Sequence, residues 1–281
     1  MFHPVTENST PVKLRIGFIV QNKIKNIEKL SSVVSNELYW SSINIHLFAS
    51  VEVLSASEAL NVIDELDGLF ISGKLKITGD NISILPAEID SQLDTLLQQA
   101  IINQLPVLST SNSFSLMNHA AFANATLGCD KAIKSTLNER KVNTLSSLFV
   151  HPSQALENNV IGVTERNKTK LTRICGVKLQ PNGVLAKMSP GNYYHKLHIN
   201  EQELAALSSL LVVEAYTDDN VVAAFSLASK QSFYVAVNWK LEGNEQLLFF
   251  NQQLTKSFIL ACRKFKKVTA ITAATDYKYL V

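Results

Sequence analysis

The residues best placed to do chemistry lie in Leu105-Pro-Val-Leu-Ser-Thr-Ser-Asn-Ser113, which runs directly into Phe114-Ser-Leu-Met-Asn118. A buried strand, a sharp turn of small residues and a helix follow one another there, in the order of a nucleophile elbow with Ser111 at its tip. A serine in that position can attack a carbonyl only if a base takes its proton, because a free hydroxyl is a weak nucleophile near neutral pH. The same hydroxyl could instead cap the helix that follows. Four histidines are candidate bases: His119, one residue past Asn118; His151, before a proline; and His195 and His198 in the second half. The chain order Ser111, an acid, then His198 is one that serine hydrolases use, although no local feature singles it out.

The elements that must carry the elbow alternate. Leu14 to Val20 reads as a first strand, and Ile27, Leu30, Val34 and Leu38 recur at helical spacing. Ile43 to Phe48 reads as a second strand, and Ser57 can cap a short helix through Leu66. Gly68 to Ser72 reads as a third strand ending at Gly73. Ile89, Leu93, Leu96, Leu97, Ala100 and Ile101 form one helical stripe before the fourth strand, Pro106 to Leu108. This order predicts a mostly parallel sheet covered on both faces, with ligands bound beyond the carboxyl ends of its strands. Ser72-Gly73 and Ser111 fall at such ends.

Shorter strands are expected at Val160–Val163, Gly176–Leu179, Leu211–Tyr216, Val221–Phe225 and Phe233–Trp239, followed by a helix from about Asn244 to Lys264. Leu137 to Ser147 is polar and reads as a loop. One domain over residues 12–265 is expected, with a polar tail at 1–11 and an extension at 266–281.

Several ordered segments resemble the γ-glutamyl-γ-aminobutyrate hydrolases, within the class I glutamine amidotransferase-like superfamily. Asp67-Gly-Leu-Phe-Ile-Ser-Gly73 resembles that family's D-G-L-L-L-S-G-G strand and oxyanion loop. Glu88-Ile-Asp90 together with Leu105-Pro-Val-Leu108 resembles E-I-D…L-P-V-L-G-I-C-R-G, and Leu116-Met-Asn118 resembles L-L-N. Gln180 to Lys187 resembles P-G-S-x-L-A, Leu197 to Gln202 stands where the family has N-S-x-H-H-Q, and Val212 to Ala224 resembles V-x-A-x-S-x-D-G-x-I-E-A. Val235-Ala-Val-Asn-Trp-Lys-Leu-Glu242 resembles G-V-Q-W-H-P-E.

The resemblance implies a flavodoxin-like three-layer α/β sandwich with no metal, no organic cofactor and often a homodimer. It also implies amide hydrolysis by a cysteine, a histidine and a glutamate, with backbone N–H groups holding the oxyanion. The matching positions are Ser111, Lys240 and Glu242, so only the glutamate is kept. Gly73 and the Asn112 backbone match the oxyanion hole, but the second glycine of its loop is now Lys74, which tolerates positive φ far less well. Gln202 is retained from N-S-x-H-H-Q. The family's paired glycines after the elbow helix are Phe122 and Ala123, and Phe122 is expected in the core.

Two readings follow. In the first, the protein is a pseudoenzyme that binds a γ-glutamyl compound, another anion or a partner enzyme. Lys74 and Lys240 would then hold a carboxylate, with Gln202 as a further ligand-binding residue. In the second, it is a divergent serine hydrolase with Ser111 as nucleophile. Glu242 would favour the charged form of Lys240, which argues against a Ser–Lys pair.

Composition narrows the classes. Of the 281 residues, 46% are hydrophobic and 18% charged, enough to fold around a large core, and a net charge of +2 gives no footprint for nucleic acid. Cys129, Cys175 and Cys262 are few and widely spaced, so neither a zinc site nor a disulfide framework is expected. No signal peptide or membrane-length apolar run is visible, and a cytoplasmic location is expected. Lys264, Lys266 and Lys267 are expected to compensate the dipole near the end of the last helix.

Overall fold

The computed structural model describes residues 13–19, 49–71, 77–78, 81–82, 91–137, 172–200, 204, 206–229, 232–239, 241 and 245–279. In chain order these form β1 (Leu14–Ile19), β2 (Ala49–Leu54), α1 (Ala56–Asn61), β3 (Gly68–Ile71), β4 (Ile77–Thr78), β5 (Asn81–Ile82), α2 (Ser91–Ile102), β6 (Val107–Thr110) and α3 (Phe114–Leu137). The second half contributes β7 (Thr172–Leu179), α4 (Val184–Met188), β8 (Tyr194–Asn200), β9 (Leu211–Thr217), β10 (Val222–Leu227), β11 (Tyr234–Val237) and α5 (Glu245–Tyr279). Single 3₁₀ turns occupy Ile63–Glu65 and Ser111–Ser113.

Nine strands make one sheet in the order β2-β1-β3-β6-β11-β10-β9-β7-β8. From β2 across to β11 all pairings are parallel, and from β11 to β8 all are antiparallel. The sheet is therefore an α/β sheet of mixed direction, and β11 is where the direction changes. The parallel half is covered on both faces, which is why β3, β6 and β11 are buried along their whole length.

On one face lie α1, α2 and α3, where the stripe Leu93, Leu96, Leu97 and Ala100 packs with Met117, Ala120 and Ala121 against Leu69, Ile71, Val107 and Ala236. On the other lies α5, whose Phe250, Leu254, Phe258 and Cys262 pack against Phe18, Phe70, Leu108, Val235 and Val237. The rings of Phe18 and Phe70 stack at 5.4 Å. Gly68 permits this approach, because a Cβ there would stand 2.4 Å from Cys262 Sγ and 3.1 Å from the Phe258 ring. Cys262 is thus a packed core group, and burial raises its pKa well above the ordinary thiol value.

The antiparallel half bends round on itself. An isolated bridge joins Ile199 of β8 to Trp239 just past β11, and β8 also touches the 111–113 turn. The sheet edge thereby returns to the elbow.

Several details differ from the sequence reading. The second described strand is Ala49–Leu54, and Ile43–Phe48 lies outside the described residues. The cap of α1 is Ser55, not Ser57. Ser55 Oγ accepts from Glu58 N at 3.3 Å while Ser55 N donates to Glu58 Oε2 at 2.9 Å, a reciprocal capping box that Ser57 cannot make. α5 runs unbroken past Lys264 to Tyr279, so Lys264, Lys266 and Lys267 stand well inside the helix rather than near its end. Lys266 Nζ donates to Asp67 Oδ2 at 2.8 Å and ties α5 to the start of β3. Phe122 is half-buried on α3, at the margin rather than in the core. Val160–Val163 and all of the 137–147 segment beyond Leu137 lie outside the described residues. Among the described residues no helix is long and apolar enough to cross a membrane.

Candidate functional site

β3, β6 and β11 end at one edge of the sheet. Ile71 pairs with Ser109, Ser109 with Ala236 and Thr110 with Val237, so the residue after Thr110 leaves the sheet at its carboxyl edge beside the start of α3. That residue is Ser111. Thr110 is still extended (φ −129°, ψ 149°), Phe114 is already helical (φ −53°, ψ −50°), and Ser111 between them has φ +56°. A non-glycine residue in this region costs about 1–2 kcal/mol, and the surrounding structure must hold it there.

Hydroxyl groups help to hold it. Ser109 and Ser113 stand on either side of the tip, and their Oγ atoms lie 2.6 Å apart. Ser113 Oγ also reaches the carbonyls of Thr110 at 2.9 Å and Ile71 at 3.2 Å, which joins the elbow to the end of β3. Next along the chain, the Phe114 ring packs against Phe225 at 4.6 Å, and Tyr234 Oη donates to the Met117 carbonyl at 3.1 Å. The first turn of α3 is therefore pinned to β10 and β11. Asn118 Nδ2 donates to the Ala206 carbonyl at 2.8 Å and Asn118 Oδ1 accepts from Ser208 N at 3.0 Å. The L-L-N-like asparagine thus serves the loop before β9 rather than the elbow.

Ser111 is only 2% exposed, and its Oγ has no hydrogen-bond partner among the described residues. No described histidine bonds to it. His119 Nδ1 pairs with Asp94 Oδ1 at 2.9 Å, linking α3 to α2, and that pairing raises its pKa. His195 is buried and pairs with Ser189 Oγ at 3.2 Å, while His198 points outward from β8. His151 lies outside the described residues, as do Gly73, Lys74, Gln202, Lys240 and Glu242; Asn112 is described in its backbone alone. Trp239, the residue before Lys240, is fully buried with its ring 6.2 Å from Phe250.

The sequence matches the peptidase C26 family over residues 49–242, a span that includes the elbow and ends at Glu242. The chain belongs to the peptidase C26 family. Solved structures agree in fold. A Thermoplasma acidophilum protein assigned to GMP synthase aligns over 92% of this chain and 98% of its own, with 14% identity and a TM-score of 0.51. The glutaminase domain of Trypanosoma brucei CTP synthase, solved with bound acivicin, aligns over 90% of this chain and 94% of its own, with 15% identity and a TM-score of 0.55. The protein thus has the class I glutamine amidotransferase-like α/β fold. No curated protein matches the sequence at a significant level.

Sequence reasoning overlooked Ser109 and Ser113 as a hydrogen-bonded pair. The signal was available in their spacing, because residues two on either side of a sharp turn come face to face.

The strain at Ser111 has a measurable consequence. Ser111→Gly is expected to raise stability by about 1 kcal/mol, since glycine adopts positive φ without penalty. Ser111→Val is expected to lower it by about 2–3 kcal/mol, since a β-branched residue is a poor fit to that region. Urea denaturation of the three proteins measures both; equal midpoints for serine and glycine would mean that the backbone there is unstrained.

Proposed function

We propose that this protein is a peptidase C26 family member that has lost γ-glutamyl hydrolysis and uses the pocket at the strand ends to bind a γ-glutamyl compound or another small anion. One observation supports the reading: the elbow keeps its positive φ at Ser111, but the hydroxyl is buried and, among the described residues, no base accepts its proton. Without an acceptor the hydroxyl stays protonated and weakly nucleophilic. Lys74 and Lys240 stand where the family resemblance has a glycine and a histidine. Two ammonium groups suit a carboxylate held by charge-assisted hydrogen bonds, with Gln202 as a further donor. Backbone N–H groups at Gly73 and Asn112 are the counterpart of the oxyanion site. Glu242 is kept from the triad and would balance the charge of Lys240. The protein would act as a ligand-binding component, either as a homodimer or beside a partner enzyme.

A second reading has one observation in its favour. A strained elbow is easily lost when selection no longer holds it, and here it persists at Ser111. This reading makes Ser111 the nucleophile of a serine hydrolase acting on γ-glutamyl amides, with its base supplied when substrate binds.

Glutamate release by the purified protein and by Ser111→Ala separates the two. The first reading expects equal, background release from glutamine and γ-glutamyl-γ-aminobutyrate. It also expects a thermal shift with glutamate, a γ-glutamyl amine or phosphate. A ligand at ten times its Kd stabilises by about 1.4 kcal/mol, which is about 3 °C in Tm for a chain of this size. Release that disappears in Ser111→Ala would sink the first reading and establish the second. The absence of any shift at millimolar concentration would sink the ligand-binding part.

A further inference from the structure

The outer side of α5, on the face of the sheet opposite α3, carries charge of one sign. Between Gln246 and Thr275 the helix has five cations, Lys256, Arg263, Lys264, Lys266 and Lys267, and no acid, although the net charge of the whole chain is only +2. Lys266 is taken up by Asp67. Lys256, Arg263, Lys264 and Lys267 are exposed, and no ion pair with a described residue engages Lys256, Lys264 or Lys267. Compensation of the helix dipole does not account for them, because it acts within the last turn and Lys267 stands about three turns before Tyr279.

The same side of the helix begins at an apolar groove. α4 lies beside α5, and an open groove of about 480 Å³ runs between them. Val184, Met188 and Pro190 line it from α4 and the turn that follows, and Phe249, Gln253 and Ser257 line it from α5. Phe233, its ring 5.9 Å from that of Phe258, is a further lining residue, and Lys187 adds a cation from α4.

Groove and cations belong to one strip. Phe249, Gln253, Ser257, Leu260, Lys264 and Lys267 follow one another at intervals of four, four, three, four and three residues, the spacing of a single helical face. The strip is about 27 Å long. Phe249 is 60% exposed and Leu260 53%, so apolar surface continues from the groove up to the cations.

The chemistry selects among occupants. A second copy laid face to face would set cations against cations with no carboxylate between them. An anionic lipid surface would meet the charge, but a helix that lies in a membrane interface puts its apolar stripe into the lipid. Here that stripe, with Phe250, Leu254 and Phe258, is buried against the sheet. A concave groove takes a protruding apolar side chain, and cations at helical intervals beyond it take carboxylates at the same intervals. A helix laid along α5 supplies both.

We propose that this strip of α5 is the docking site for an acidic amphipathic helix of a partner protein, with an apolar side chain of that helix in the groove and its carboxylates over Lys264 and Lys267.

The test is fluorescence anisotropy of the full chain with a labelled synthetic helix of about 20 residues, built on alanine, with leucines at one end and glutamates on the same face over the remaining turns. Binding is expected at low salt and should weaken about tenfold on raising the salt to about 0.3 M. Lys264→Glu combined with Lys267→Glu is expected to weaken it about a hundredfold, and Phe249→Ser about tenfold. These side chains are exposed, so the variants should keep the urea midpoint of the wild type. No binding of the probe would overturn the proposal, as would equal binding of a probe with glutamine in place of glutamate. Equal binding by Phe249→Ser would mean charge attraction without a docked anchor and would overturn it too. Should the charge-reversed variant instead lose cosedimentation with phosphatidylserine vesicles, or lose a dimer seen by sedimentation, while the probe fails to bind, the face belongs to a membrane or to a second copy and the proposal falls.

Discussion

Trp239→Ala is expected to lower stability by about 4 kcal/mol, whereas Trp239→Phe is expected to change it by no more than about 1 kcal/mol. Trp239 is fully buried where the bent-round β8 bridges to the segment just past β11, and it packs beside Phe250 within the α5-side core. Truncation to alanine removes an entire indole from that junction, and the two flanking strands cannot close the cavity without breaking the Ile199 bridge. Phenylalanine behaves differently because the indole Nε1 is itself a buried donor with no acceptor among the described residues. Removing that N–H recovers its desolvation cost, which offsets much of the lost volume. Urea denaturation midpoints at constant slope provide the measurement. A phenylalanine variant as damaged as the alanine one would mean that Nε1 is in fact satisfied. The site is affected as well: Trp239 immediately precedes Lys240, so ligand binding should be lost in the alanine variant and kept in the phenylalanine one.

Glu214→Ala is expected to cost about 3–5 kcal/mol and Glu214→Gln about 1 kcal/mol or less. Glu214 is 2% exposed on β9, and both its oxygens are used. Oε1 accepts from Ser226 Oγ at 2.6 Å and Oε2 from Leu185 N at 3.0 Å, in the first turn of α4. Gly183 makes room for it, since a Cβ there would stand 2.4 Å from Oε2. Alanine leaves a buried N–H and a buried hydroxyl without acceptors and opens a cavity between α4 and β9. Glutamine can satisfy both: its oxygen accepts from Leu185 N, and its amide donates to Ser226 Oγ, which can turn round because a hydroxyl both gives and takes. Thermal or urea unfolding of the two variants separates them. Equal losses would show that the negative charge, rather than the hydrogen-bond count, holds α4.

The parallel half of the fold was legible because its physical signals are local. Continuous apolar runs at Gly68–Ile71 and Leu105–Leu108 fit strands of a sheet covered on both faces, and the spacing Leu93, Leu96, Leu97, Ala100 can bury one side only as a helix. The elbow was equally legible, since a run of small residues between an apolar strand and an apolar helix leaves little choice of conformation. β8 was missed as a strand although its alternation is clean: His195, Leu197 and Ile199 are buried while Tyr194, Lys196 and His198 are exposed. Polar types at buried positions hid it, because a buried histidine reads as a surface one until its partner is known. The length of α5 was underestimated for a related reason. Past Lys264 the apolar stripe fades, and the Lys266–Asp67 ion pair, with a partner 199 residues away in sequence, anchors the helix there.

By itself, then, the sequence determined the family pattern, the α/β class and the elbow with Ser111 at its tip. These follow from residue identity and from periodicities shorter than ten residues. Tertiary structure alone decided which side chains meet: the Ser109–Ser113 pair behind the tip, the burial of Ser111 without a partner among the described residues, the engagement of His119 by Asp94, and the pairing of His195 with Ser189. Residue types say that a serine and a histidine can exchange a proton. Whether they do depends on a separation near 3 Å, set by strand register, by the turn at Pro190-Gly191 and by helix packing, none of which is a property of any one segment of the chain.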